Sequence, residues 1–444
     1  MLFQKSSSSE SSDEDQYQNT DEMVDEFVTN HLLNTSFPRG PRPPNTDILV
    51  RANRQREEGH NRLFNDYFAV NPVYSEKQFR RRFRMKRPLF CRIMNKVVEN
   101  EVWFQQRRDA AGRLGLSGLQ KCTAAIRMLA YGVAPDAVDE YLRIGETTTK
   151  KSLLLFTQGV IKHFEEDYLR SPSSEDLRRI LYQNEMRGFP GMIGSIDCMH
   201  WEWKNCPNAW KGQYAGRSGK ASLILEAVAD QDLWIWHAFF GIPGSCNDLN
   251  VLYRSPVFDD VLQGKAPPIN FRVNGHEYNL GYYLTDGIYP NWATFIQGFT
   301  LPQLKKHKLF ADKQAHARKD VERAFGVLQA RFAIIRQPSL AYDEDTLGDI
   351  MKACIIMHNM IVEDERDNYV RAEVLRKYYE DDLSSTSATV NNDEPFEFQS
   401  GQPVNINAYL GRRSTLRDSR IHDALKHDLI EHIWEKYGSN NNNN

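Results

Sequence analysis

Three carboxylates are set apart by their position at the ends of apolar runs or beside them. Asp197 closes the run MIGSID at 192–197, and Asp286 closes GYYLTD at 281–286. Glu322 lies in RKDVERAFG at 318–326, next to an apolar stripe of Val321, Phe325, Leu328 and Phe332 at helical spacing. The first two runs read as strands, so their terminal acids project from the sheet edge into the space where α/β folds place ligands. A carboxylate beside an apolar run costs desolvation energy unless it is paired or metal-bound. Three such groups on one edge supply the hard oxygen ligands that Mg²⁺ prefers, and two such ions about 3.5–4 Å apart can drive an in-line phosphoryl displacement. The chemistry expected is metal-dependent phosphodiester cleavage, with Asp197, Asp286 and Glu322 as the catalytic and metal-binding acids and two Mg²⁺ or Mn²⁺ ions as cofactors. Asp248 follows a glycine-rich turn and opens a helix; it is an auxiliary acid whose default role is capping. His200 and His237 are further ligand or acid/base candidates, but the chain has no HExxH spacing, which disfavours zinc hydrolysis. His358 and Asn359 read as a buried polar pair.

These side chains need a sheet to hold them. Alternating or continuous apolar runs predict strands at 192–197, 222–229, 233–240 and 281–286, and helical spacing predicts helices at 249–262, 315–335 and 347–362. That order implies an α/β domain with a mixed sheet over residues 191–365. Gly326, one turn beyond Glu322, is expected to let its helix approach the sheet closely. Upstream, residues 61–190 read as helical. Three short helices at 118–130, 135–142 and 147–163 are compatible with a helix-turn-helix that touches DNA, or with a plain helical hairpin.

Two basic segments bear on nucleic acid. FRRRFRMKRPLF at 79–90 carries Arg80, Arg81, Arg82, Arg84, Lys86 and Arg87 between aromatics. Its cations could neutralise phosphates while its rings stack, or it could be a solvated helix face whose rings are core. Between the first two strands, Lys204, Lys211, Arg217 and Lys220 are interleaved with Trp201, Trp203 and Trp210, either as a clamp for DNA or as a packed tryptophan cluster.

At 444 residues, with 41% hydrophobic, 26% charged and 11% aromatic content, the chain can bury a sizeable core without cross-links. Net charge is −3, but residues 1–30 hold eight acids against one lysine, leaving 51 acids and 55 Lys+Arg on the rest. So mild a balance does not by itself identify a nucleic-acid partner. Six cysteines occur with no CxxC pair, which fits a reducing compartment. No apolar run reaches about 18 residues and the first ten residues lack a secretory pattern, so no membrane association is expected. Residues 1–60 are read as a disordered acidic, proline-rich tail, 366–414 as an acidic Ser/Thr-rich linker, 415–438 as an amphipathic helix and 439–444 as a disordered tail.

Several blocks together resemble the PIF/Harbinger superfamily of transposases: GSIDCMHW at 194–201, AWKGQ at 209–213, LEAVAD at 225–230, WIWHAF at 234–239, YLTDGIYP at 283–290, RKDVERAFGVLQ at 318–329 and IMHNMIVED at 356–364. The segments at 79–90, 119–127 and 427–434 look like the plant Ping and Pong transposases. The resemblance implies an RNase H-like mixed sheet with flanking helices, a DDE catalytic core preceded by an all-helical N-terminal region. Asp197, Asp286 and Glu322 fall on the three acids, with 35 residues between the last two, and strand order favours Asp286 over Asp248 as the second. It further implies two-metal cleavage at transposon ends and joining of the freed 3′-OH to target DNA. A Myb-like DNA-binding protein from the same element is the implied partner; a homo-oligomer is also open. The implied location is the nucleus, with the cytoplasm left open. The main alternative is a domesticated, transposase-derived DNA-binding or chromatin-associated protein that does not cut. A further reading, an RNase H-like hydrolase acting on RNA hybrids, would share the acids but not these blocks.

Overall fold

The computed structural model describes residues 54–109, 112–369 and 406–438. Most of the expected N-terminal tail and linker, and the whole expected C-terminal tail, therefore lie outside the described residues. Among the described residues seven α-helices precede the sheet: α1 (Arg56–Tyr67), α2 (Glu76–Phe83), α3 (Arg87–Asn100), α4 (Gly118–Tyr131), α5 (Asp136–Leu142), α6 (Glu146–Tyr168) and α7 (Ser174–Met186). The first starts five residues before the boundary read at 61. Local chemistry sets several starts: Ser75, Ser117 and Ser173 each form a capping box with the residue three positions on, Gln78, Gln120 and Asp176. Gly132, at φ 63°, ends α4, and a Cβ there would lie 3.0 Å from the backbone of Ala333. That contact brings α4 against the segment following the third acid.

The sheet contains β1 (Met192–Glu202), β2 (Ser222–Ala229), β3 (Ile235–Pro243), β6 (Tyr282–Thr285) and β7 (Phe295–Gln297), in the order β3-β2-β1-β6-β7. Strands β1 to β3 are antiparallel neighbours; β6 and β7 run parallel to β1. This is the RNase H-like arrangement that the resemblance implied. A two-stranded hairpin, β4 (Phe271–Val273) and β5 (His276–Tyr278), is inserted before β6. Short helices α8 (Lys211–Tyr214), α9 (Asp248–Leu252) and α10 (Asp259–Gln263) fill the connections. The single helix expected at 249–262 is thus two, broken around Pro256, whose ring cannot supply a helical N–H.

Helix α11 (Lys305–Arg331) crosses β1, followed by α12 (Ala333–Arg336) and α13 (Glu344–Tyr369). At the end of the chain, α14 (Ile406–Leu416) begins within the expected linker, and α15 (Ser419–Tyr437) packs on α11. One apolar cluster runs from Leu63 and Phe83 in the helical region through Trp201 and Leu225 in the sheet to Met357 and Ile361 in α13. Helices and sheet therefore share a core. A second cluster, with Phe310 and Leu284, is closed by Leu425, Leu429 and Ile433 of α15. Among the described residues no helix is long and apolar enough to cross a membrane.

Candidate functional site

Parallel pairing sets the first two acids side by side. Ser195 of β1 is in register with Leu284 of β6; Asp197 lies two residues further along β1 and Asp286 just past the end of β6, near enough for its charge to act on Asp197. The third acid comes from α11. Ser195, on the same face of β1 as Asp197, donates from Oγ to the Ala317 carbonyl at 3.1 Å, fixing that turn of the helix against the strand. One residue on, Arg318 reaches both acids: its Nη1 is 3.4 Å from Asp197 Oδ2 and its Nη2 is 2.7 Å from Glu322 Oε1. The structure thus brings Asp197, Asp286 and Glu322 together where β6 ends beside β1; Asp197 is not at the end of its strand as expected, because pairing with β2 carries β1 on to Glu202, opposite Ser222.

Asp197 is 19% exposed. Burial pushes its carboxyl up to about 6; the Asp286 and Asp248 carboxylates add to the rise, while the Cys198 amide and Arg318 oppose it. The Cys198 N–H donates to Asp197 Oδ1 at 2.8 Å. Asp248 is also raised, first by burial and then by Asp286. Its expected capping role falls to the preceding residue, since Asn247 Oδ1 accepts from the Asn250 amide at 2.9 Å. Asp248 is left free to interact with Cys198, on the face of β1 opposite Asp197.

Two residues there were not singled out from sequence. Glu226, fully buried in β2, has both carboxylate oxygens without hydrogen-bond partners and sits 3.3 Å from His237 Nε2. Its signal was a charge inside the apolar run SLILEAVA. Arg318 was legible only as the residue one helical turn before Glu322. His237 also bonds Ser255 Oγ at 3.0 Å, and His200 bonds Ser222 Oγ at 3.0 Å. Gly326 differs from expectation: a Cβ there meets nothing within 4 Å, so it is not a close-packing residue.

The donor chemistry is that of a hard divalent cation: three carboxylates where β6 ends beside β1, a fourth close behind, and burial that disfavours leaving Asp197 and Asp248 charged without a counter-ion. As arranged, no three His, Cys, Asp or Glu side chains among the described residues are close enough to share one ion. The Arg318 pairs hold two of the acids in the arrangement observed.

The basic segments divide. Phe79, Phe83 and Phe90 are fully buried, with the first two rings stacked at 4.1 Å, so these rings are core and cannot stack on bases. Most of the intervening cations have protein partners. Arg80 bonds Glu365 at 3.1 Å, Lys86 pairs with Asp364 at 3.1 Å and Arg87 with Glu76 at 2.9 Å. Arg82 bonds Tyr67, Arg84 bonds the Ala130 carbonyl at 3.3 Å, and Arg81 is exposed. In the other loop Trp201 and Trp203 are buried, whereas Trp210 is 45% exposed beside exposed Lys211 and Arg217. Lys220 pairs with Glu202 at 2.9 Å. Helix α6, the second helix of the candidate helix-turn-helix, packs between α4 and α13 and buries Thr149, Ser152, Phe156 and Val160. Its exposed first turn carries Glu146, which holds Lys150 at 2.7 Å. A groove-reading role for this helix finds no free basic face.

The plant transposon protein family model matches residues 166–369, which contain all three acids, and a domain of unknown function matches residues 59–98. Among curated proteins, "Protein ALP1-like" of Arabidopsis thaliana is 27% identical over 262 residues, covering 56% of this chain and 62% of that protein. "Putative nuclease HARBI1" of Bos taurus is 22% identical over 248 residues, covering 55% and 67%, and the protein of the same name in Mus musculus is 24% identical over 248 residues. The match therefore spans under two thirds of the plant relative's length. No solved structure matches.

Proposed function

Because the chain belongs to the PIF/Harbinger superfamily, whose transposase-derived members include relatives named as nucleases, we propose that it is a metal-dependent DNA endonuclease and transposase. The reading rests on one observation above all: Asp197 lies beside the end of β6, where the Asp286 carboxylate acts on it, and Arg318 links Asp197 to Glu322. In this proposal Asp197, Asp286 and Glu322 hold two Mg²⁺ or Mn²⁺ ions. When bound, the ions supply a water nucleophile at neutral pH and neutralise charge on the phosphate being cleaved. The protein's part is to fix the carboxylates on rigid elements, one within β1, one just past the end of β6 and one on a helix pinned by Ser195, so that little reorganisation accompanies the reaction. Asp248 and Glu226 add negative charge behind the site.

The substrates on this reading are transposon terminal repeats and target DNA, the freed 3′-OH being joined to the latter. Phosphate contacts are assigned to the exposed cations Arg81, Lys211 and Arg217. Sequence selection is assigned to a Myb-like partner in the nucleus, since α6 is committed to packing. The test is an excision assay with a matching non-autonomous element, with and without the Myb-like protein. Excision that requires both the partner and intact Asp197 supports the proposal. DNA binding with no strand cleavage under any metal condition favours the domesticated, non-cutting reading.

A further inference from the structure

The guanidinium of Arg318 occupies a particular place: one planar group contacts two of the carboxylates assigned to the metal centre, at 3.4 Å and 2.7 Å. Its position is not accidental to a floppy side chain. The turn bearing it is tied to β1 through Ser195 and Ala317, the side chain is 20% exposed, and Glu322 stands one helical turn on, where an i,i+4 pair meets. Nearby arginines are engaged elsewhere, Arg187 and Arg323 both pairing with the buried Asp320. Arg318 is also chemically suited to the task, because a guanidinium stays charged at all working pH values and its fork of donors can serve two carboxylates at once.

We propose that Arg318 is an internal counter-ion of the acidic edge, a positioning residue that holds Asp197 and Glu322 within reach of each other and competes with a divalent cation for them. The inference rests on the reading of this edge as a metal centre. A cation that enters must displace the guanidinium from at least one carboxylate, so wild-type affinity for the ion is lower than the carboxylates alone would give. Arg318 thereby sets the metal concentration at which the site fills. In its absence the two acids lose their shared partner, and the fold gains more from added metal.

Full-length protein is titrated with Mn²⁺ alone by calorimetry, and its thermal unfolding is followed with and without Mn²⁺. Arg318→Met, which keeps the aliphatic bulk and removes the charge, is expected to bind Mn²⁺ about two- to fivefold more tightly, the ratio a partly exposed ion pair is worth. It is also expected to show a larger rise in Tm on adding Mn²⁺. Arg318→Lys, which keeps a charge but lacks the fork, is expected to fall between, and it serves as the comparison if the methionine variant does not fold. Equal or weaker Mn²⁺ binding by the Arg318 variants, with binding lost in Asp197→Asn, overturns the counter-ion role and leaves the metal centre standing. Mn²⁺ binding absent from every chain, or undiminished in Asp197→Asn, overturns the metal centre itself and this inference with it.

Discussion

Asp248 and Asp286 are the residues at which two assignments of the second acid diverge. Asp286 follows the strand paired with β1 and acts on Asp197, whereas Asp248 feels the Asp286 charge and interacts with Cys198, whose side chain lies on the other face of β1. Asp286→Asn should therefore lower single-turnover cleavage by roughly 10²–10³-fold, the loss typical when transition-state charge stabilisation is removed. Asp248→Asn should keep more than about a tenth of the rate, because it alters the field and not the ligand set. The reverse ranking would transfer the role to Asp248. A second residue carries a pH signature unrelated to the acids. His358 is fully buried; it accepts from Arg331 at 3.1 Å through Nδ1 and donates from Nε2 to the Leu233 carbonyl at 2.8 Å. Burial first, and the neighbouring Arg331 charge second, hold its imidazole down at about 3. Between the ordinary value near 6.5 and 3, the unfolded chain binds a proton that the folded chain does not. Stability from this group is complete above the ordinary value and falls as pH drops, by about 1.4 kcal/mol per unit, or about 2 kcal/mol at pH 5. His358→Gln should be less stable at pH 7 yet have a flatter acid limb, which urea unfolding at pH 7 and pH 5 would measure; parallel limbs would contradict it. Apolar runs drew attention to the three acids and to His358, which is buried as expected; Glu226 carried the same signal inside SLILEAVA and was passed over, while the place of Arg318 depends on the strand that its helix faces.

The elements were read most accurately where the chain carries its own punctuation. The glycine stop at Gly132 marks the end of α4, and the apolar runs mark β2 and β3 and the first half of β1; the capping box at Ser173, which opens α7, was not read. The β4–β5 hairpin had a signal that was passed over, since Asn274 and Gly275 take φ 49° and 82°, the left-handed pair that an Asn-Gly turn provides. Strand β7 has only three residues, too few for a period to emerge. The helix-turn-helix reading named real helices but not their environment: α6 is buried by α4 and α13, which lie near and far in sequence. The packing of the helical region on the sheet can be tested at Asn359. Its Nδ2 donates to the carbonyls of Tyr168 and Ile235, each at 2.7 Å, and its Oδ1 accepts from the Ile235 amide at 2.9 Å, so it joins α6 to β3. Asn359→Leu leaves these buried groups unpaired and should cost about 2–4 kcal/mol in chemical unfolding. An effect below about 0.5 kcal/mol would mean that the junction is not held this way.

For the whole molecule, the shared core makes the helical region a buttress of the sheet that carries the three acids, and on the proposed function the exposed cations decide how DNA is approached. Arg80, Lys86 and Arg87 are held by Glu365, Asp364 and Glu76, so neutralising them should change the salt dependence of DNA binding little. Lys211→Gln and Arg217→Gln should each reduce the slope of log K against log salt by about 0.9 if both contact phosphate. Gel-shift titrations at several salt concentrations would separate the two patches. Equal slope losses from both would return the 79–90 segment to the DNA interface. The central claim, that one sheet edge performs metal-dependent cleavage, is tested most directly by incubating purified full-length protein with terminal-repeat DNA across Mg²⁺ and Mn²⁺ concentrations, beside Asp197→Asn, Asp286→Asn and Glu322→Gln variants verified as folded. The expected result is strand cleavage that requires the metal, is abolished by EDTA and is lost in all three variants. Cleavage that survives in any of the three, or that proceeds without a divalent ion, would contradict it.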